Sequence, residues 1–302
     1  MALPKIETKR NMAKAKVSRS AEGVAGMRAI EMRKPEADRI VSDPYAGALI
    51  PGGVMFAIST WFIESGLYER MAPGAVGFII GRERYIDEYV KAQLSEGIAQ
   101  VCILGAGFDT RAYRIPGIDR TRVFEIDQPA TQAVKLERLK KVIDPLPAHV
   151  TFVPADLNTQ RLGEVLQGSG YDEQGKTLFI WQGVTYFLNP EGIDSTLEFI
   201  AGHSGQDSAV VFDYIYNEIL HDTTQGYGKM LARAGKMSGE PYVFGIDKGQ
   251  VGPFLAQRGF CDVIDTSLED VKTKYFTGPN ATRAIDIGHI AIASAKVCRV
   301  KS

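Results

Sequence analysis

The segment 101–111, VCILGAGFDTR, constrains the fold of this chain more than any other stretch. Four apolar residues run without polar alternation into Gly105-Ala106-Gly107, the pattern of a strand buried on both faces that ends in a tight turn. Glycine admits positive φ and lets backbone N–H groups approach a ligand with no Cβ in the way. Twenty residues beyond Gly107, a second apolar segment, 123–127, ends in Asp127. A glycine-rich first turn followed by an acid closing the next strand is how a doubly wound α/β sheet holds an adenosine ribose. A plain tight turn is the competing reading. The third glycine of the dinucleotide fingerprint is also absent, with Asp109 and Arg111 in that region. Its absence weighs against a bound pyrophosphate, and less against an adenosyl ligand that carries no phosphate.

Around this segment, short apolar runs alternate with helical ones. The pattern predicts strands near 100–104, 122–126, 150–153, 177–181 and 208–212, with helices near 128–142, 158–168 and 191–203. Such β/α alternation gives a parallel sheet with right-handed crossovers. Upstream, a helix is expected from about Ser20 to Arg33, ended by Pro35. Short helices broken by Gly66, Pro73, Gly74 and Gly77 follow, then a strong amphipathic helix from Gly81 to Gln93 with Arg82 and Arg84 in its first turn. A cation is unfavourable at a helix N-terminus, so these arginines are either solvated or facing an anion. After the fifth strand, residues 215–247 read as an insertion rich in Gly, Tyr and Met. A helix near 248–258 and two β-type segments, 260–264 and 288–294, complete the chain. Residues 1–20 read as a flexible basic tail, and nothing marks a linker between two domains.

Composition narrows the function classes. A formal net charge of −1 gives no general electrostatic reason to bind nucleic acid or an anionic membrane. No run of about 18 apolar residues suggests a membrane span. Three widely spaced cysteines, Cys102, Cys261 and Cys298, suggest neither a disulfide framework nor a zinc site. A reduced, cytoplasmic protein without a metal is the expectation.

The string Leu104-Gly-Ala-Gly-Phe-Asp-Thr-Arg-Ala-Tyr-Arg114, with Phe124-Glu-Ile-Asp-Gln-Pro129, resembles the leucine carboxyl methyltransferase family, in particular its bacterial and fungal small-molecule O-methyltransferase relatives. The resemblance runs from about Ala21 to the C-terminus. It implies a single-domain class I methyltransferase with a Rossmann-like seven-stranded sheet, an antiparallel final hairpin, an N-terminal helical cap (21–98) and a lid insertion after strand five (215–247). It also implies S-adenosyl-L-methionine as cofactor and transfer of its methyl group to an oxygen, a carboxylate or hydroxyl of a small molecule. The alternatives are a protein C-terminal carboxylate as acceptor, an NAD(P)-dependent oxidoreductase on a similar sheet, and a non-catalytic binding protein. The sequence says nothing of oligomeric state.

Ligands of an open α/β sheet bind outside the carboxyl ends of its strands. The candidate cofactor residues are therefore Gly105, Gly107 and Asp109 after strand one and Asp127 after strand two. Asp127 suits the ribose because a carboxylate accepts two hydrogen bonds at once, with Glu125 as competitor. After strand three, Asp156 and Leu157 read either as an adenine contact, which the resemblance favours, or as a helix cap. Gln182 stands where the family usually has Glu, losing a charge but keeping hydrogen-bonding capacity. By resemblance, Arg28 and Arg82 reach the cofactor carboxylate, with Arg84 and a surface role as alternatives. His221 is the one histidine in the variable segment and the candidate base. Tyr214 is the other catalytic candidate, with a place in the pocket wall or the core as its alternative.

Overall fold

The computed structural model describes residues 17–221, 226–285 and 288–298; the tail to residue 16 and positions 222–225 of the expected insertion lie outside them. Seven strands form one sheet in the order β3-β2-β1-β4-β5-β7-β6. They are β1 (Gln100–Leu104), β2 (Arg122–Asp127), β3 (Val150–Pro154), β4 (Thr177–Trp181), β5 (Ala209–Ile215), β6 (Phe260–Ser267) and β7 (Ile290–Val297). The first five run parallel, while β7 is antiparallel to both its neighbours, β5 and β6.

Side-chain alternation divides the core into two layers. Cys102, Leu104, Phe124, Ile126, Phe179 and Trp181 face one side. Val101, Ile103, Val123, Leu178 and Ile180 face the other. The first layer is covered by Leu162 and Leu166 of α7 (Leu162–Leu166), Ile193 and Leu197 of α8 (Pro190–Gly202), and Leu255 of α11 (Val251–Ala256). The second packs on Ile80, Ile86 and Val90 of α4 (Ala75–Ser95). Local chemistry starts these helices: Asn189 accepts from Gly192 N (2.7 Å) with Pro190 in the first turn of α8. Upstream of α4 the cap comprises α1 (Arg19–Glu31), α2 (Val54–Glu64) and α3 (Leu67–Met71). Between the strands lie α5 (Arg111–Arg114) and α6 (Pro129–Leu139), and after β5 come α9 (Glu218–His221) and α10 (Gly226–Ser238).

Several expectations change. The helix expected from Gly81 begins at Ala75, so Arg82 and Arg84 lie in its middle and the macrodipole argument does not apply to them. Gly77 does not break the helix; it permits a close approach. A Cβ there would lie 2.0 Å from the backbone oxygen of Ala284. Gly77→Ala should therefore lower unfolding free energy by about 1–3 kcal/mol in urea. Gly26→Ala in α1, with nothing within 4 Å, should not destabilise.

The helix expected over 158–168 shrinks to α7, because Asp156 turns the chain first: its Oδ1 accepts from Asn158 N (3.0 Å). The final two strands pair antiparallel as expected, with α12 (Leu268–Tyr275) in the connection between them. Cys261 and Cys298 are joined as a disulfide, contrary to the sequence expectation; antiparallel β6–β7 pairing brings together residues 37 apart in sequence. No helix among the described residues is long and apolar enough to cross a membrane.

Candidate active site

The strand order reverses between β1 and β4, and a cleft of about 1440 Å³ opens there, outside the carboxyl ends of the parallel strands. Gly105 and Gly107 form its floor with φ of +65° and +45°. A Cβ on Gly105 would meet Val184 Cγ2 at 2.4 Å. Asp127 Oδ2 accepts from Gly107 N (2.5 Å) and Oδ1 from Gln128 N (2.6 Å). The acid closing β2 thus holds the glycine turn. Burial pushes its carboxyl up to about 6, against the pull of those two backbone N–H groups. Glu125, the competitor, is buried in a pair with Lys135 (2.6 Å) and accepts from the Tyr113 hydroxyl (2.9 Å). It does not line the cleft.

Beneath the glycine loop lies an ionic network that sequence reading does not reveal. Arg111 is fully buried, and binds Asp87 (2.7 Å), Glu83 (2.5 Å) and Asp109. Arg28 binds Asp43 (2.8 Å) and Glu83 (3.1 Å) and donates to Phe108 O. Burial alone would raise the pKa of Glu83, but Arg111, Arg28 and Arg114 hold it well below the usual carboxylate range. Arg28 and Asp109 both line the cleft with their ionic groups committed to this network. Gln182 joins it too, its Nε2 donating to Glu83 Oε1 (2.7 Å).

Arg82 reaches the cleft from the middle of α4. Its Nη1 binds Asp213 Oδ2 (2.5 Å), and Asp213 also accepts from Gly183 N (2.6 Å). The guanidinium stays charged, its pKa raised by Asp213 against burial. Arg84 instead lies beside Glu88 on a more exposed face (3.3 Å). Two buried polar atoms of cleft residues have no hydrogen-bond partner among the described residues: Arg82 Nε, a donor, and Gln182 Oε1, an acceptor. Such atoms are costly unless a ligand or water completes them.

Asp156 and Leu157 line the cleft beyond β3. Two candidates do not reach it. His221 is exposed at the end of α9. Tyr214 is fully buried within β5, its hydroxyl donating to Asp265 (2.9 Å) on the far side. The cleft's other half is aromatic, lined by Phe62, Tyr68 and Phe78 from the cap and by Tyr186, Phe187 and Tyr242. Tyr186 and Tyr242 stack with ring centroids 5.1 Å apart. Burial holds the Tyr186 phenol well above its usual pKa and pushes Tyr242 up to about 12. Both are neutral at physiological pH. Sequence reading reaches only Tyr186 of this wall, as the tyrosine that follows strand four, because the members lie up to 180 residues apart without a shared period.

A seven-stranded sheet with an antiparallel β7 inserted beside β5, and a glycine turn tied to the acid closing β2, define a class I methyltransferase. The chain belongs to the leucine carboxyl methyltransferase family, whose sequence pattern matches residues 21–201. YktD of Bacillus subtilis (strain 168) is 30% identical over 202 residues, covering 66% of each chain. A protein of Mycobacterium sp. (strain KMS) is 29% identical over 262 residues, or 81% of this chain and 84% of its own. Both are classed by name among S-adenosyl-L-methionine-dependent methyltransferases. The fold is shared with a DUF574 family protein of Streptomyces avermitilis (TM-score 0.58, 15% identity, 89% of this chain and 99% of that one). It is shared equally with a protein of Thermobifida fusca YX (TM-score 0.58, 14% identity, 90% and 98%).

The residues present fit S-adenosylmethionine. Asp127 keeps lone pairs for ribose hydroxyls, Arg82 Nε–H suits a carboxylate, and Gln182 Oε1, backed by Glu83, suits an ammonium.

Proposed function

We propose that this protein transfers the methyl group of S-adenosylmethionine to a carboxylate oxygen of a small molecule. One observation carries the choice of a carboxylate. Among the described residues lining the cleft there is no histidine; Glu83 and Asp109 are bound to arginines, Asp127 and Asp156 accept from backbone N–H groups, and Glu240 accepts from the hydroxyls of Ser18 and Ser20. Tyr186 and Tyr242 are neutral phenols. A hydroxyl acceptor benefits from a general base, whereas a carboxylate arrives ionised and loses no proton. The cofactor supplies an electrophilic methyl group, whose C–S bonding pair returns to sulfur as the acceptor oxygen forms the new bond.

The chain's own part is placement. In this reading Asp127 holds the ribose, Gly105 and Gly107 let the backbone approach, and Asp156 with Leu157 receives the adenine. Arg82 and Gln182 hold the amino-acid end. Arg28 and Asp109 act behind them, fixing the loop and Glu83. The aromatic wall excludes water from the acceptor.

The test is transfer from methyl-labelled S-adenosylmethionine to a panel of small acids and their hydroxylated analogues. Label released by mild alkali, as from a methyl ester, is the expected result; alkali-stable label would refute the carboxylate assignment.

The raised carboxyl of Asp127 gives a pH signature. Its ionised form accepts both ribose hydroxyls, so affinity for S-adenosylhomocysteine should hold above pH about 6 and fall about tenfold per unit below it. For the free protein the sign is opposite. A raised acid contributes stability below its unfolded value of 3.8 that is lost as pH rises through about 6. Calorimetric titration between pH 5 and 8, with Asp127→Asn flattening the profile, checks this.

A further inference from the structure

The helix α10 presents Lys229, Arg233 and Lys236 to the cleft. At 100° per residue, positions i, i+4 and i+7 fall within about 60° of one another, so these cations share one face. None of the three forms an ion pair with an acid among the described residues. The nearest acid along the chain, Glu240, also lines the cleft but accepts from the hydroxyls of Ser18 (3.0 Å) and Ser20 (2.7 Å). The same cleft is lined by the aromatic side chains of Tyr68, Tyr186, Phe187 and Tyr242, and Tyr242 lies beside α10, 3.5 Å from where a Cβ on Gly235 would stand. Apolar surface continues outward to Met71, which lines the cleft and is 68% exposed.

A solvated helix needs no aromatic wall beside it, and an apolar pocket for a neutral ligand needs no row of three cations along it. We infer that this half of the cleft selects an anionic acceptor with an aromatic body, its charge met by Lys229, Arg233 and Lys236 and its rings by Tyr186, Phe187 and Tyr242. The inference rests on the methyltransferase reading of the other half of the cleft. It adds a consequence: esterifying a carboxylate removes the charge that α10 recognises, so the product is held less tightly than the substrate.

Two probes isolate the charge. 8-Anilinonaphthalene-1-sulfonate and N-phenyl-1-naphthylamine share a ring system and differ in the sulfonate. Exposed pairs are individually weak, and the three cations together should give the sulfonate about tenfold tighter binding by fluorescence titration. That preference should shrink with added salt. The triple variant Lys229→Gln, Arg233→Gln, Lys236→Gln should bind both probes alike, with the neutral probe and S-adenosylhomocysteine unchanged. Arg233→Lys, which keeps the charge, should retain the preference. Equal affinities in the unaltered protein, or a preference that survives in the triple variant, would overturn the inference. Failure of the unaltered protein to bind S-adenosylhomocysteine would instead overturn the cofactor reading, leaving the probe comparison intact.

Discussion

Arg111→Met should cost about 3–5 kcal/mol of unfolding free energy, the largest stability effect expected of any single substitution here. The guanidinium is fully buried and meets Asp87, Glu83 and Asp109. Methionine approximates its length without its charge, leaving three acids in a low-dielectric interior with fewer counter-charges. Arg114 retains its hold on Asp87, which is why the loss stops short of collapse. The pH dependence follows from Glu83 and Asp109, whose carboxyls are held low against burial chiefly by Arg111. Their stabilisation is present above their unfolded values of 4.5 and 3.8, and is lost as pH falls below them. The gap between wild type and variant should therefore narrow in acid. Urea unfolding at pH 7.5 and at about pH 3 measures both effects. Arg122→Ala provides the contrast: its pair with Asp172 is 3.9 Å long and half-exposed, so the change should stay within about 0.5 kcal/mol.

Asp127→Ala should weaken S-adenosylhomocysteine binding by about 10- to 150-fold at pH 8, with a modest loss of stability. Hydrogen bonds to a charged group contribute roughly 1.5–3 kcal/mol, and 1.4 kcal/mol is a factor of ten. The carboxylate also accepts from Gly107 N and Gln128 N, so its loss loosens the glycine turn as well as the ribose contact. Asp127→Asn keeps one carbonyl acceptor and should fall between wild type and Asp127→Ala. Glu125→Gln is the discriminating control. It disturbs the buried Lys135 and Tyr113 contacts, and so should lower stability while leaving affinity nearly intact.

These two acids also show what the sequence discloses. The floor of the cleft is readable because doubly buried strands leave unbroken apolar runs and the ligand loop follows such a run directly. Asp127 separates from Glu125 only in three dimensions, where Lys135 returns beside β2 one helix later. Arg82 is legible as a candidate, but its place in α4 is not, because Gly77 reads as a breaker and Gly81 as the start of the helix when both are packing sites. The helix α12 escapes a reading by apolar periodicity, although Ser267 and Asp270 form a capping box that is a local signal for it. Glu83 and Asp213 are not legible as partners of Gln182 and Arg82, since each pairing spans from about 100 to 130 residues and depends on how α4 lies across the sheet. His221 draws attention by its place in the variable segment and Tyr214 by its place at the end of strand five, and the structure puts both away from the cleft.

The central claim is that one cleft holds S-adenosylmethionine between the β1–β3 loops and the Arg82–Gln182 pair, facing an aromatic acceptor wall. The most direct measurement is a crystal structure with S-adenosylhomocysteine. The account predicts the ribose on Asp127, the adenine beside Asp156 and Leu157, and the homocysteine ammonium and carboxylate on Gln182 Oε1 and Arg82 Nε. Ligand bound elsewhere, or with its amino-acid end turned away from Arg82 and Gln182, would contradict it.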